Sequence, residues 1–201
     1  MNSMSIFKLA SVLLIVAVCT LVIYLDSTPK PTQTQAKQAK IEQQETRAED
    51  IANYKSWMLV NPIPVKMDKA TAKLCDDIRD EILRGKQSPH NDKYISVYVN
   101  DLGKKSMLEE LDPEFPIGTI IVKEKLTKPD SKTPELLTVM VKHKDGLDKD
   151  NGDWEFLTFD GSATKKTKVD ATSCRSCHST YDYQDFVVRN YLPDEVRKKL
   201  K

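Results

Sequence analysis

The sequence predicts an α+β fold, an antiparallel β-sheet with flanking helices. Three observations lead there. Apolar residues recur at helical spacing as far as Gly85 and at every second position beyond it. The stretches between the later apolar runs, "TKPDSKTP" and "KDGLDKDNG", are dense in turn residues and too short for a crossover helix, so consecutive strands run antiparallel. A chain of 201 residues, 39% hydrophobic and 30% charged, has the make-up of one ordinary domain with appendages. Its formal net charge of +1 gives no support to nucleic-acid binding, which normally needs a basic stripe or excess.

Residues 1–25 contain "LASVLLIVAVCTLVIYL", 17 uncharged residues from Leu9 to Leu25 flanked by Lys8 and Asp26. As a helix this run is roughly 26 Å long, near the thickness of a hydrocarbon core. It reads as a transmembrane anchor, with a cleaved signal segment as the competing reading. The length of the run and the lack of an A-x-A-like site after it favour the anchor. Cys19 follows the bulky Val18 inside the apolar run, which argues against a lipid-modified cysteine. Residues 26–50, rich in Gln, Thr, Lys and Ala, bury too little to offset their ordering entropy and read as a flexible polar linker. Residues 51–201 are the expected domain.

Within it, "DIANYKSWMLV" places Ile51, Tyr54, Trp57 and Met58 at helical spacing, and "NPIP" stops the helix. A second helix starts near Asp68, carries Leu74, Cys75, Ile78, Ile82 and Leu83 on one side, and ends at Gly85. "KYISVYVND" alternates Ile95, Val97 and Val99 against Tyr94, Ser96 and Tyr98, the pattern of a half-buried strand. A short helix over "KKSMLEEL" follows. Three more strands are expected at Gly118–Leu126, Glu135–His143 and Asp153–Asp160.

The chemistry lies near the C-terminus, in "SCRSCHSTYDYQDFVV". Cys174 and Cys177, one helical turn apart, match the two vinyl groups of a haem, and His178 directly after them would ligate the iron from the same side. In a chain with four Cys and three His, this five-residue pattern arises by chance roughly once per thousand such chains. A structural zinc site would need a second ligand pair, and Cys75, His90 and His143 are scattered singly. A thioredoxin-like dithiol would follow a strand in a βαβ unit, which an antiparallel sheet does not offer. Compartment and motif agree, because haem is attached to such a motif outside the cytoplasm and the anchor delivers the domain there. One covalently bound haem c is therefore expected. His90, His143, Met107 and Met140 are the candidates for a sixth iron ligand, and none stands in an evident ligand loop. The expectation is an open distal site that binds a small molecule. A six-coordinate electron carrier is the alternative, and a module whose motif holds no haem is the third reading.

In order along the chain, "NYKSWMLVNP", "DKYISVYVND", "FPIGTIIVKEKL", "LLTVMVK", "GDWEF" and the terminal C-x-x-C-H resemble the cytochrome P-460 family over residues 51–192. The resemblance implies a monohaem c-type cytochrome of the bacterial cell envelope, periplasmic or held at the inner membrane by its N-terminal helix. It also implies a homodimer, a redox partner protein, and a nitrogen ligand or substrate, nitric oxide or hydroxylamine. In hydroxylamine-oxidising members a lysine in a G-T-x-x-V-K-E strand is joined to the haem edge; the matching residue is Lys123. It shares a sheet face with Thr119 and Ile121, while Val122 and Glu124 point the other way. Desolvation on such a face favours the neutral, nucleophilic amine; the bland alternative is a lysine that snorkels to solvent. The distal carboxylate of the oxidising members falls at Thr138 here, with Glu135 as the nearest alternative. Thr is no useful base at neutral pH, which sets efficient hydroxylamine oxidation in doubt.

Overall fold

In the computed structural model, which describes residues 46–67, 92–144, 146–168 and 171–200, seven strands form one antiparallel sheet. They are β1 (Met58–Leu59), β2 (Val65–Lys66), β3 (Tyr94–Val99), β4 (Ile120–Leu126), β5 (Leu136–Lys142), β6 (Trp154–Asp160) and β7 (Lys166–Thr167). From β3 to β7 each strand pairs with the next in sequence. The turn-rich linkers 127–135 and 143–153 thus act as reversals, as their composition predicts. The four long strands fall where period-two alternation places them. The described residues lie in one compact unit, Thr46–Lys201.

The outer edge of β3 is shared. β1 pairs with its C-terminal end and β2 with its N-terminal end. Between them the side chain of Asn61 takes over the ladder: its amide donates to the Ile95 carbonyl (2.9 Å) and its Oδ1 accepts from Val97 N–H (2.7 Å). Pro62 and Pro64 cannot supply those bonds, so the "NPIP" break is bridged by an amide instead of backbone.

Both faces of the sheet are covered, which corrects the half-buried expectation for β3. One face joins Val97, Val99, Ile121, Met140 and Phe156 to Met107, Phe115 and Val187. The other joins Val122, Leu137, Val139 and Phe159 to Ile51 and Tyr54. Ser96, expected towards solvent, is buried for this reason. Fully enclosing side chains such as Leu137 or Phe159 stabilises the fold by about 1.5–3 kcal/mol each.

Four helices are described: α1 (Ala48–Ile51), α2 (Lys104–Leu108), α3 (Ala171–His178) and α4 (Asp194–Lys199). The single helix expected over "DIANYKSWMLV" is instead α1, a 3-10 turn at Tyr54–Ser56, and Met58 in β1. The chain turns extended at Trp57 (ψ 177°), because pairing Met58 with Val99 offers more than one further helical turn. Near the C-terminus the buried Arg189 donates to the carbonyls of Ser106, Glu110 and Leu111 (3.1, 2.8 and 2.9 Å), satisfying acceptors left open as α2 ends. The apolar run Leu9–Leu25 with Cys19, the linker as far as Glu45, the helix expected from Asp68 with Cys75, and His90 lie outside the described residues. Among the described residues no helix is long and apolar enough to cross a membrane.

Candidate haem-attachment site

"ATSCRSCH" folds as α3, so Cys174, Cys177 and His178 occupy one helical turn and the start of the next, as their spacing requires. The helix rests on β6, with Cys174 packed against the face that carries Phe156. Cys174 and Cys177 are both half-buried on this helix. Arg175, the first residue between them, bonds Asp148 from the β5–β6 loop (2.8 Å), tying the outer side of the helix down.

His178 sits with its ring 5.0 Å from that of Phe156. Its Nδ1 lies 2.7 Å from the Phe186 carbonyl. A carbonyl only accepts, so Nδ1 carries the proton and Nε2 keeps its lone pair. Desolvation pushes the imidazole pKa down to about 4; the carbonyl bond opposes the shift and the charge of Lys123 adds to it. At neutral pH the ring is therefore a neutral ligand with one fixed tautomer. Two thiols and one neutral imidazole on one turn fit the donor set of a c-type haem. Among the described residues no group of three or more His, Cys, Asp and Glu side chains is disposed to hold a metal ion by itself.

The sheet beneath α3 brings the other candidates together. Val97, Lys123, Thr138 and Thr158 lie side by side across β3, β4, β5 and β6. Their row is adjacent to Val99, Ile121, Met140 and Phe156 on the same face, the face that His178 touches. Lys123 is half-buried there, and Thr138 stands directly opposite it. None of its neighbours in the row is a carboxylate. Glu124 points to the other face and accepts a 2.6 Å hydrogen bond from Tyr54, whereas Glu135 is held by Lys93 at 2.8 Å beyond the strand end.

His143, expected in solvent, is half-buried and lies 2.8 Å from Glu155 through its Nε2. Burial pushes the Glu155 carboxyl up, but hydrogen bonds from His143 and Thr46 outweigh it and leave the group below its ordinary value. The alternation along β5 puts His143 on the face away from His178. Met107 is fully enclosed in the core, and Met140 is buried beside Phe156. A cavity of about 430 Å³ lined by Tyr54, Lys55, Lys132, Pro134 and Ser162 lies apart from α3.

The sequence reading did not anticipate Phe186, Asp185 or Lys142. The first contributes a backbone carbonyl, which no residue type announces. The second pairs with the third across 43 residues, through both carboxylate oxygens (2.6 and 2.8 Å). The Trp of the "GDW" motif was the available signal: Trp154 is fully buried and its indole N–H donates to the Asp185 carbonyl (2.8 Å).

A family model described as cytochrome P460 matches residues 51–189, more than two thirds of the chain. No curated protein gives a significant match.

Proposed function

The chain belongs to the cytochrome P460 family, and from that premise we propose a c-type monohaem cytochrome whose iron keeps an open distal face for a small nitrogen species. Nitric oxide and hydroxylamine are the two ligands of the right chemistry. The observation that carries the reading is the turn at Cys174–His178, with two cysteines and an imidazole whose Nδ1–H is engaged, which leaves the lone pair on Nε2.

Each thiol can add across one vinyl group, its sulfur to one carbon and its hydrogen to the other, so attachment needs no oxidant. His178 would offer its Nε2 to the iron without first losing a proton. Haem, once bound, supplies the redox chemistry and the site for the nitrogen ligand. Lys123 stands on the same face, where its charge would tune the surroundings of the ring. Thr138 offers a hydroxyl where a base would be needed, so binding of nitric oxide is favoured over proton abstraction from hydroxylamine. In this reading the domain faces the periplasm, tethered by its N-terminal segment, works as a homodimer and exchanges electrons with a partner protein.

The second reading, a six-coordinate electron carrier, takes Met140 as its sixth ligand, a thioether in the row next to Lys123 and Thr138. The two part in one experiment. Full-length protein is coexpressed with haem-maturation machinery, and its reduced absorption spectrum is recorded before and after carbon monoxide. A broad ferrous spectrum that shifts with carbon monoxide is the expected outcome. Sharp low-spin bands indifferent to carbon monoxide, restored to responsiveness by Met140→Leu, would establish the electron carrier. A protein without haem would defeat both.

A further inference from the structure

Behind His178 the backbone adopts an unfavourable conformation that several partners hold in place. Asp185 and Phe186 have φ angles of 51° and 64°. Two consecutive left-handed residues with side chains, one of them aromatic, are disfavoured sterically. Lys142 Nζ lies 2.6 and 2.8 Å from the Asp185 carboxylate oxygens, and Phe115 N–H donates to Oδ2 (2.9 Å). The Lys142 and Asp185 side chains are only 14% and 13% exposed, so their attraction is little screened. Trp154 Nε1–H grips the Asp185 carbonyl (2.8 Å), and Phe186 N–H bonds the Tyr181 carbonyl (2.9 Å). The Phe186 ring fills the space beside Gly152, where any Cβ would come within 2.6 Å of it. The outcome of this convergence is one vector: the Phe186 carbonyl aimed at His178 Nδ1, 2.7 Å away.

We propose that Asp185, clamped by Lys142, Phe115 and Trp154, is the positioning residue of the proximal histidine. It fixes the turn whose carbonyl orients the imidazole and sets its donor strength towards iron. The inference rests on the haem reading above. A proximal histidine that donates firmly through Nδ1 is a stronger base at Nε2. A stronger donor stabilises ferric over ferrous iron and lowers the reduction potential. With the clamp released, the turn relaxes towards ordinary φ values, the carbonyl swings off the ring, and the potential rises.

The test uses full-length holoprotein and Asp185→Asn, which keeps the size and the acceptor for Phe115 N–H but removes the charge that Lys142 grips. Expected are an upward shift of the haem midpoint potential and a lower iron–histidine stretching frequency in the resonance Raman spectrum of the ferrous protein, at unchanged haem content. Lys142→Met should move both in the same direction, and the double variant no further than the larger single change. A merely structural role would lower the unfolding midpoint while leaving potential and frequency where they were, and that result overturns the proposal. Should Asp185→Asn fail to accumulate, Trp154→Phe removes the indole N–H from the Asp185 carbonyl and carries the same expectation; unmoved values there overturn it equally. Wild-type protein without covalent haem would sink the haem reading and this inference together. Wild-type protein with haem, beside variants of unmoved potential, would sink this inference alone.

Discussion

Replacing Thr138 by glutamate asks whether a missing carboxylate is what separates this chain from hydroxylamine oxidation. Thr138 is half-buried and stands opposite Lys123 in the β4–β5 register, with Thr158 on its other side. Directly opposed residues of an antiparallel pair have Cβ atoms about 4.5–5.5 Å apart. A glutamate at 138 would thus meet the Lys123 amine and also extend over the face that His178 touches. A positioned general base is worth about 10²–10⁴-fold in rate, equivalent to about 3–5 kcal/mol of barrier. The ammonium opposite lowers the pKa of the new carboxylate and weakens it as a base, so the gain should fall near the lower limit. The expected outcome is a rise of about 10²-fold in kcat/KM for hydroxylamine, assayed with a one-electron dye as acceptor. Thr138→Gln has the same reach without basicity and should stay at the wild-type level. Equal rates for the Glu and Gln variants, at full haem content, would refute the reasoning, since geometry would then supply the row with a base that does nothing.

Three further outcomes follow from the same geometry. Changing Cys174 and Cys177 together to Ala should abolish covalent haem, read as loss of haem stain on a denaturing gel, while either single change should leave one thioether and a shifted haemochrome band. Tyr54→Phe removes the 2.6 Å hydrogen bond to the buried Glu124 carboxylate. It should cost about 1.5–3 kcal/mol in urea denaturation, with the haem spectrum unchanged because the pair lies on the face away from His178. In haem-free protein the His178 pKa is depressed to about 4, below its unfolded value. The folded state therefore favours the neutral ring, so this stability is complete above the unfolded pKa and is lost as pH falls from about 6.5 to about 4. The loss amounts to about 3 kcal/mol; a wild-type pH slope no steeper than that of His178→Asn would contradict it.

The long strands were legible because alternation is a local property: Ile95, Val97 and Val99 must share a face whatever surrounds them. The stretch around Trp57 was not, since Met58 follows its pairing with Val99, 41 positions away, against the helical spacing of its neighbours. The same division runs through the site. Cys174, Cys177 and His178 are close in sequence, so a single helical turn sufficed to assemble them. The face of Lys123 also followed from alternation, but that His178 would come to that face depended on α3 packing against β6.

By itself, then, the sequence determined which segments would be the four long strands, which turn would bear the two cysteines and the imidazole, and which family the chain would join. Tertiary structure decided the tautomer of His178, the pairing of His143 with Glu155, and the Lys142–Asp185 pair behind the His178 ring. The physical reason is range. Periodicity and spacing act within a turn or a pleat, whereas a hydrogen bond to one particular carbonyl exists only after the sheet, the loop and the helix have all been packed.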